Sequence, residues 1–249
     1  MRRTWRAVAR CLGLDQTRCL SCGALVPAGT MLCPHCAREL APRIGGFCPV
    51  CGTMWGDGNA PAAPCLDCRL NPPPWDALAF YGRHAGRLRE LILGYKFRQG
   101  LNREHLLVKL ATRAARTLPV PDALVPVPLH RRRLVWRGYN QSLVLAHGVG
   151  RALARPVDSG CLERVRHTPP QTSLDAAGRA VNIKGAFRAD PELVQDRNLM
   201  LVDDVYTTGA TLRECARTLK RVGAASVTVL VLSRAGEGAT AVPGNGCPS

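Results

Sequence analysis

The sequence predicts an α/β fold, a mostly parallel sheet flanked by helices, behind a small N-terminal unit held together by metal. Three observations predict it. From residue 76 onward, strand-like apolar runs alternate with amphipathic helical stretches, the pattern of a parallel sheet with crossover helices. Eight of the 12 cysteines lie between Cys19 and Cys68, in four Cys-x-x-Cys pairs. Residues 199–212 pass from an apolar run through two adjacent carboxylates into a hydroxyl-rich turn with a glycine, and then into a helix.

The cysteine pairs come first along the chain: Cys19/Cys22, Cys33/Cys36, Cys48/Cys51 and Cys65/Cys68. Each pair clamps a tetrahedral metal from one tight knuckle, and two pairs complete a Cys₄ site. Gly23 and Gly52 follow the second cysteine of their pairs, where a turn takes up positive φ. Ten residues separate the first two pairs and thirteen the last two, spacings that suit short hairpins. The prediction is a double zinc ribbon over residues 15–72, with two structural Zn²⁺ sites paired in sequence order. His35, inside Cys33-Pro34-His35-Cys36, is a knuckle residue on this reading, because four thiolates already fill the site.

A disulfide framework is the competing reading, and it needs an exported chain. Residues 7–14 are interrupted by Arg10, no apolar signal core follows, and no apolar run approaches membrane-spanning length. A cytoplasmic location is therefore expected, where repeated Cys-x-x-Cys holds metal. Residues 1–75 carry few large aliphatic side chains, so metal must stand in for a core.

The chain divides near Pro72-Pro73-Pro74, and residues 75–234 are long enough for an α/β core. A strand is predicted at 76–81. Helices follow at 84–97, with Leu88, Leu91, Ile92 and Tyr95 on one face, and at 106–118. A short buried strand at 124–127 is stopped by Pro126 and Pro128, and a helix covers 140–153. The strand of 199–202 leads to a helix at 212–222, where Leu212, Ala216, Leu219 and Val222 keep helical spacing with Cys215 in its core. A β-branched strand at 226–232 closes the domain. The tail, residues 235–249, is rich in Gly, Ala and Pro and reads as disordered.

The loop after residue 202 lies at the carboxyl end of its strand, where open α/β sheets place ligands. Backbone N–H groups of Thr207, Thr208, Gly209, Ala210 and Thr211 can surround a phosphate at the helix N-terminus, and the helix dipole favours that anion. Asp203 and Asp204 can accept hydrogen bonds from vicinal ribose hydroxyls or hold Mg²⁺ through water. A ligand with a 5-phosphate, a cis-diol and a metal-chelated pyrophosphate fits. Two carboxylates at the end of a buried strand are costly without a ligand or partner, which argues against an ordinary turn.

The run Val202-Asp203-Asp204-Val205-Tyr206-Thr207-Thr208-Gly209-Ala210-Thr211 resembles the phosphoribosyl-pyrophosphate (PRPP) signature of type I phosphoribosyltransferases. Further blocks are Tyr95-Lys96-Phe97, Val125-Pro126-Val127-Pro128-Leu129, Arg137-Gly138-Tyr139-Asn140-Gln141-Ser142 and residues 166–187. With the cysteine ribbons, they make the chain similar, from about residue 19 to 234, to the ComF family of bacterial competence-associated proteins. That family joins a double zinc ribbon to a type I phosphoribosyltransferase domain.

The resemblance implies a type I phosphoribosyltransferase-like fold and PRPP with Mg²⁺ as ligand. It assigns the ribose and the chemistry to Asp203 and Asp204, the 5-phosphate to residues 207–211, and the pyrophosphate to a loop containing Val127 and Pro128. Proline removes two donors from that loop, leaving the amides of Val127, Leu129 and His130. Residues 166–185 resemble the loop that closes over PRPP, with Arg166, Gln171, Arg179 and Lys184 among its polar groups. Such a lid excludes water and supplies cations to the leaving pyrophosphate. The chain is also similar, more distantly, to the transferase half of amidophosphoribosyltransferases. It carries cysteine ribbons where those enzymes carry a glutaminase, so glutamine-dependent amination does not follow.

The net charge of +16 is concentrated in residues 83–137, which hold 13 Arg or Lys against 3 Asp or Glu. Arg131, Arg132, Arg133 and Arg137 form the densest cluster, with Trp136 and Tyr139 nearby to stack bases. Such a patch suits single-stranded nucleic acid or polyphosphate ligands. Thirty arginines against four lysines is also what a GC-rich genome produces, so charge alone decides little.

Three functions compete: a phosphoribosyltransferase, a PRPP sensor, and an adaptor that binds single-stranded DNA. The resemblance adds competence-machinery proteins at the inner membrane as partners, for a chain with no transmembrane segment of its own. No residue marks an acceptor pocket.

Overall fold

The computed structural model describes residues 16–56, 58–96, 101–130, 134–135, 138–166 and 183–236. The expected tail beyond residue 236, the arginine cluster at 131–133 with Trp136 and Arg137, and Cys11 and Cys247 lie outside the described residues.

In the first ribbon, β1 (Gln16–Arg18) pairs antiparallel with β2 (Leu25–Pro27), and α1 (Pro34–Glu39) follows. The second ribbon has an antiparallel bridge between Phe47 and Met54, followed by α2 (Leu66–Leu70). Beyond them come β3 (Ala77–Arg83), α3 (Gly86–Lys96), α4 (Leu101–Ala115), β4 (Ala123–Pro126) and α5 (Gln141–Leu153). The chain continues through β5 (Leu162–Arg164), β6 (Phe187–Ala189), α6 (Pro191–Val194), β7 (Asn198–Tyr206), α7 (Ala210–Arg221) and β8 (Ser226–Arg234).

The main sheet has the order β3-β8-β7-β4, and every pair in it is parallel, as the alternation of strands and helices predicts. Both faces are covered, which explains the near-continuous apolar runs of β7 and β8. Leu199, Leu201, Val227 and Val229 face Cys215, Ala216 and Leu219 of α7 and the antiparallel β5–β6 hairpin. Met200, Val202, Leu230 and Leu232 face Leu91, Leu107 and Leu145 of the helix layer α3–α5.

The ribbons straddle the edge strand β3. Leu40 at the end of the first ribbon is buried in the helix-layer cluster and receives the Tyr81 hydroxyl on its carbonyl at 2.5 Å. Phe47 and Met54 of the second ribbon pack on the opposite cluster, with Phe47 edge-on to Phe80 at 5.0 Å. The linker between the ribbons bonds the outer edge of β3 through Arg43 N–H to the Tyr81 carbonyl (3.0 Å), and the second ribbon does so where its Pro49 carbonyl accepts the Leu78 N–H (3.2 Å). An exposed strand edge, a template for aggregation, is thereby covered.

Three details differ from expectation. β7 runs through both aspartates to Tyr206, because β8 is equally long and pairs with it out to Arg234. α3 starts at Gly86, because His84 N–H bonds the Arg234 carbonyl at 2.9 Å and prolongs the sheet. The strands β5 and β6 were not legible, since three residues each show no periodicity.

Candidate functional site

At the carboxyl edge of the sheet, β7 delivers Asp203 and Asp204, with Asp204 only 8% exposed and Asp203 half-buried. Asp203 Oδ1 accepts the Ser142 hydroxyl at 2.8 Å and the Asp204 N–H at 2.9 Å, which fixes its rotamer. Ser142 stands in the first turn of α5, and Asn140 is the N-cap, its Oδ1 accepting the Ser142 N–H at 3.0 Å. Asn140 Nδ2 donates to the Val127 carbonyl at 3.1 Å, so one residue ties the helix start to the loop after β4. Tyr139 packs edge-on against Tyr95 at 5.8 Å and donates its hydroxyl to the Tyr95 carbonyl. Its half-buried ring thus braces the start of α5 against α3.

The turn after β7 closes through Gly209, at φ +75°, as the N-cap of α7. A Cβ there would overlap the Tyr206 ring, so glycine is required twice, by conformation and by space. With no side chain at the N-cap and no acidic residue in its first turn, α7 presents the amide-rich end that favours a phosphate. Thr207 is exposed and Thr208 and Thr211 are half-buried around that end. Tyr206 is 2% exposed, lies edge-on to Trp75 at 6.0 Å, and carries the Arg234 guanidinium 4.1 Å over its ring. Burial raises its phenol pKa, so the group stays neutral.

The loop after β4 corrects one expectation. The Val127 N–H, read from sequence as a pyrophosphate donor, bonds the Val202 carbonyl at 2.9 Å, because the β4–β7 ladder extends one residue past Pro126. Pro128, Leu129 and His130, which follow Val127, are half-buried. Of the residues that the sequence reading gives to a closing loop, Arg166 and Lys184 are exposed and adjacent, Arg166 Nη2 donating to the Lys184 carbonyl at 2.5 Å. The β5–β6 hairpin brings these two ends together. Gly185 N–H then donates to Glu214 Oε1 of α7 at 2.7 Å, a tie that no sequence signal announces. Gln171 and Arg179 lie outside the described residues.

The eight knuckle cysteines form two clusters, Cys19/Cys22/Cys33/Cys36 and Cys48/Cys51/Cys65/Cys68, with the Sγ atoms of each within 4.8 Å of one another. Pairing is in sequence order, as predicted. Zinc–sulfur bonds of about 2.3 Å in a tetrahedron set S···S edges of about 3.8 Å. Cys22 and Cys33 are 3.8 Å apart and Cys51 and Cys65 are 3.7 Å apart, so the donor sets fit zinc. Burial opposes a thiolate at Cys19, but backbone N–H groups of Cys22, Cys33 and Ser21 outweigh it and hold the pKa at about 6. Burial is opposed in the same way at Cys48, by the N–H groups of Cys65, Cys51 and Val50, and the pKa falls to about 7. Cys36, by contrast, is pushed up to about 12, chiefly by burial. A cation is what lets all four thiols of a cluster ionise together. His35 takes no part and sits 3.2 Å from Glu39.

The family models match in the same two places: the double zinc ribbon domain over residues 16–69 and the phosphoribosyl transferase domain over residues 140–243. DNA utilization protein YhgH of Salmonella typhi is 39% identical over 209 residues, spanning 82% of this chain and 90% of its own. Competence protein F of Haemophilus influenzae is 34% identical over 227 residues, spanning 88% of this chain and 97% of its own. The chain belongs to the ComF family. Competence protein ComFC of Bacillus subtilis, at 28% identity over 224 residues, spans 82% of this chain and 84% of its own. In this ComF chain the ribbons pack against the parallel sheet along its edge strand β3. Among the described residues, no helix is long and apolar enough to cross a membrane.

Proposed function

We propose that this ComF protein binds Mg-PRPP, or a related phosphoribosyl compound, at the carboxyl edge of β7 and transfers the phosphoribosyl group. The observation that carries the reading is the join of two features. A carboxylate pair is held by Ser142, and one turn later a glycine-capped helix opens its amide end. Asp203 and Asp204 accept the ribose hydroxyls, and residues 207–211 take the 5-phosphate. Leu129 and His130 face the Mg²⁺-chelated pyrophosphate, and Arg166, Gln171, Arg179 and Lys184 belong to the segment that covers it. In the transfer, the C1–O bond to pyrophosphate breaks, positive charge develops at C1, and a nitrogen nucleophile of the acceptor forms the new bond. The protein's part is to fix the ribose and to screen the departing charge.

The names of the relatives support a setting in DNA utilization or competence, with single-stranded DNA and competence-machinery proteins as partners. The excess of 13 basic over 3 acidic residues in 83–137 favours the nucleic-acid part of that reading, whether or not turnover occurs. Unpaired cysteines throughout the described residues favour a reducing compartment such as the cytoplasm.

Calorimetric titration of the zinc-loaded protein with PRPP and Mg²⁺ tests the binding. Saturable, Mg²⁺-dependent heat that the Asp203→Asn/Asp204→Asn variant loses is expected. A folded wild-type protein that gives no heat excludes both the transferase and the sensor, and leaves the DNA adaptor.

A further inference from the structure

The second ribbon lies directly behind the phosphate loop. Arg234, the last residue of β8, is 7% exposed and touches both sides. Its Nε donates to the Cys51 carbonyl at 3.2 Å, its Nη1 donates to the Thr207 carbonyl at 2.7 Å, and its guanidinium covers the Tyr206 ring. Trp75 makes the same bridge in parallel. Its Nε1 donates to the Val50 carbonyl at 2.6 Å, and its ring meets Tyr206 on one side and the Arg213 guanidinium, at 5.4 Å, on another. Val50 and Cys51 belong to one metal knuckle. Gly52 completes it at φ +69°, and a Cβ built there would lie 3.4 Å from the Arg234 side chain. The first ribbon is attached elsewhere: Leu40 and Met31 join the helix-layer cluster, and Lys109 of α4 reaches the Met31 sulfur at 2.9 Å.

We propose that Arg234 is a positioning residue for the phosphate loop. Through it, metal at Cys48/Cys51/Cys65/Cys68 and a phosphoribosyl ligand at residues 207–211 strengthen each other's binding, while metal at Cys19/Cys22/Cys33/Cys36 stays uncoupled. The inference rests on the phosphoribosyl reading of the loop. Without metal, the Cys48–Cys51 turn loses the constraint that fixes the Val50 and Cys51 carbonyls. The acceptors of Trp75 and Arg234 then drift, and a buried guanidinium without its partner is unfavourable. Tyr206 and Thr207 lose their anchors, so the ligand must order the loop as it binds, which weakens affinity. Coupling between two binding sites is reciprocal, so the ligand must equally tighten the second cluster.

The test reads each cysteine separately, by mass spectrometry of thiol alkylation while the full-length, zinc-loaded protein is challenged with a chelator. Saturating Mg-PRPP should slow alkylation of the second cluster about tenfold, within the usual range of coupling, and leave the first cluster unchanged. Arg234→Met should abolish the slowing with the first cluster still protected, and Arg234→Lys should restore part of it. Equal slowing at both clusters, slowing at neither in a protein that binds Mg-PRPP by calorimetry, or slowing that survives in Arg234→Met would overturn the proposal.

If Mg-PRPP does not bind, the functional reading fails, and hydrogen exchange decides the coupling without ligand. Loss of metal in Cys65→Ser/Cys68→Ser should speed amide exchange in residues 204–212 at least tenfold, and Cys33→Ser/Cys36→Ser should leave it unchanged. Matching exchange in the two variants would overturn the proposal.

Discussion

The first and second ribbons share one local construction. In each, a glycine at positive φ closes the first knuckle, the second pair opens a short helix, and the third cysteine donates its N–H to the sulfur of the first. Those N···S distances are 3.3 Å for Cys33 to Cys19 and 3.4 Å for Cys65 to Cys48. They differ in where they dock. The first covers the helix-layer side of β3 through Leu40, and the second covers the opposite side, against Trp75, Arg234 and the turn that follows β7. The same cysteine geometry thus packs on the helix layer on one face and against the turn after β7 on the other. The chemistry of a ribbon is local, and its role is set by the face of the sheet it meets.

Truncations on the two sides give the largest test of that contrast. Trp75→Ala should cost about 3–5 kcal/mol of stability and Leu40→Ala about 2–5 kcal/mol, the range for buried large-to-small changes. Chemical denaturation measures both. Only Trp75→Ala should also weaken Mg-PRPP binding per folded molecule; an equal loss in Leu40→Ala would erase the distinction.

Gly209→Ala probes the loop itself. A left-handed non-glycine residue costs about 1–3 kcal/mol, and the new methyl displaces Tyr206 from between Trp75 and Arg234. Thermal melts should show a modest loss of stability and calorimetry a large loss of ligand affinity. Wild-type affinity in this variant would mean that the loop takes no part in binding.

Ser142→Ala approaches from the other face, since α5 belongs to the layer under the first ribbon. Losing the 2.8 Å bond to Asp203 should lower Mg-PRPP affinity about tenfold, or about 1.4 kcal/mol, with the fold intact. An unchanged affinity would show that Asp203 does not need the helix layer to hold its rotamer.

The sequence displays what depends on neighbours along the chain. Cysteine knuckles, the β7–α7 turn with its aspartates and Gly209, and the four parallel strands all follow from local spacing and periodicity. It hides what depends on contacts across the fold. Ser142 reaches Asp203 from 61 positions away, and Arg234 reaches Cys51 from 183. Nothing near either residue signals the partner. The Val127 amide was misread for the same reason, because its acceptor lies on another strand. The β5–β6 hairpin escaped because its strands are short and its pairing spans a long insertion. The arginine cluster at 131–133 and residues 167–182 fall outside the described residues.

The most direct measurement of the central claim is a crystal structure of the zinc-loaded protein with ribose 5-phosphate and Mg²⁺. The phosphate should lie against the amides of residues 207–211, with the ribose hydroxyls on Asp203 and Asp204. Ribose 5-phosphate bound elsewhere, with the turn after β7 still empty at saturating concentration, would contradict it.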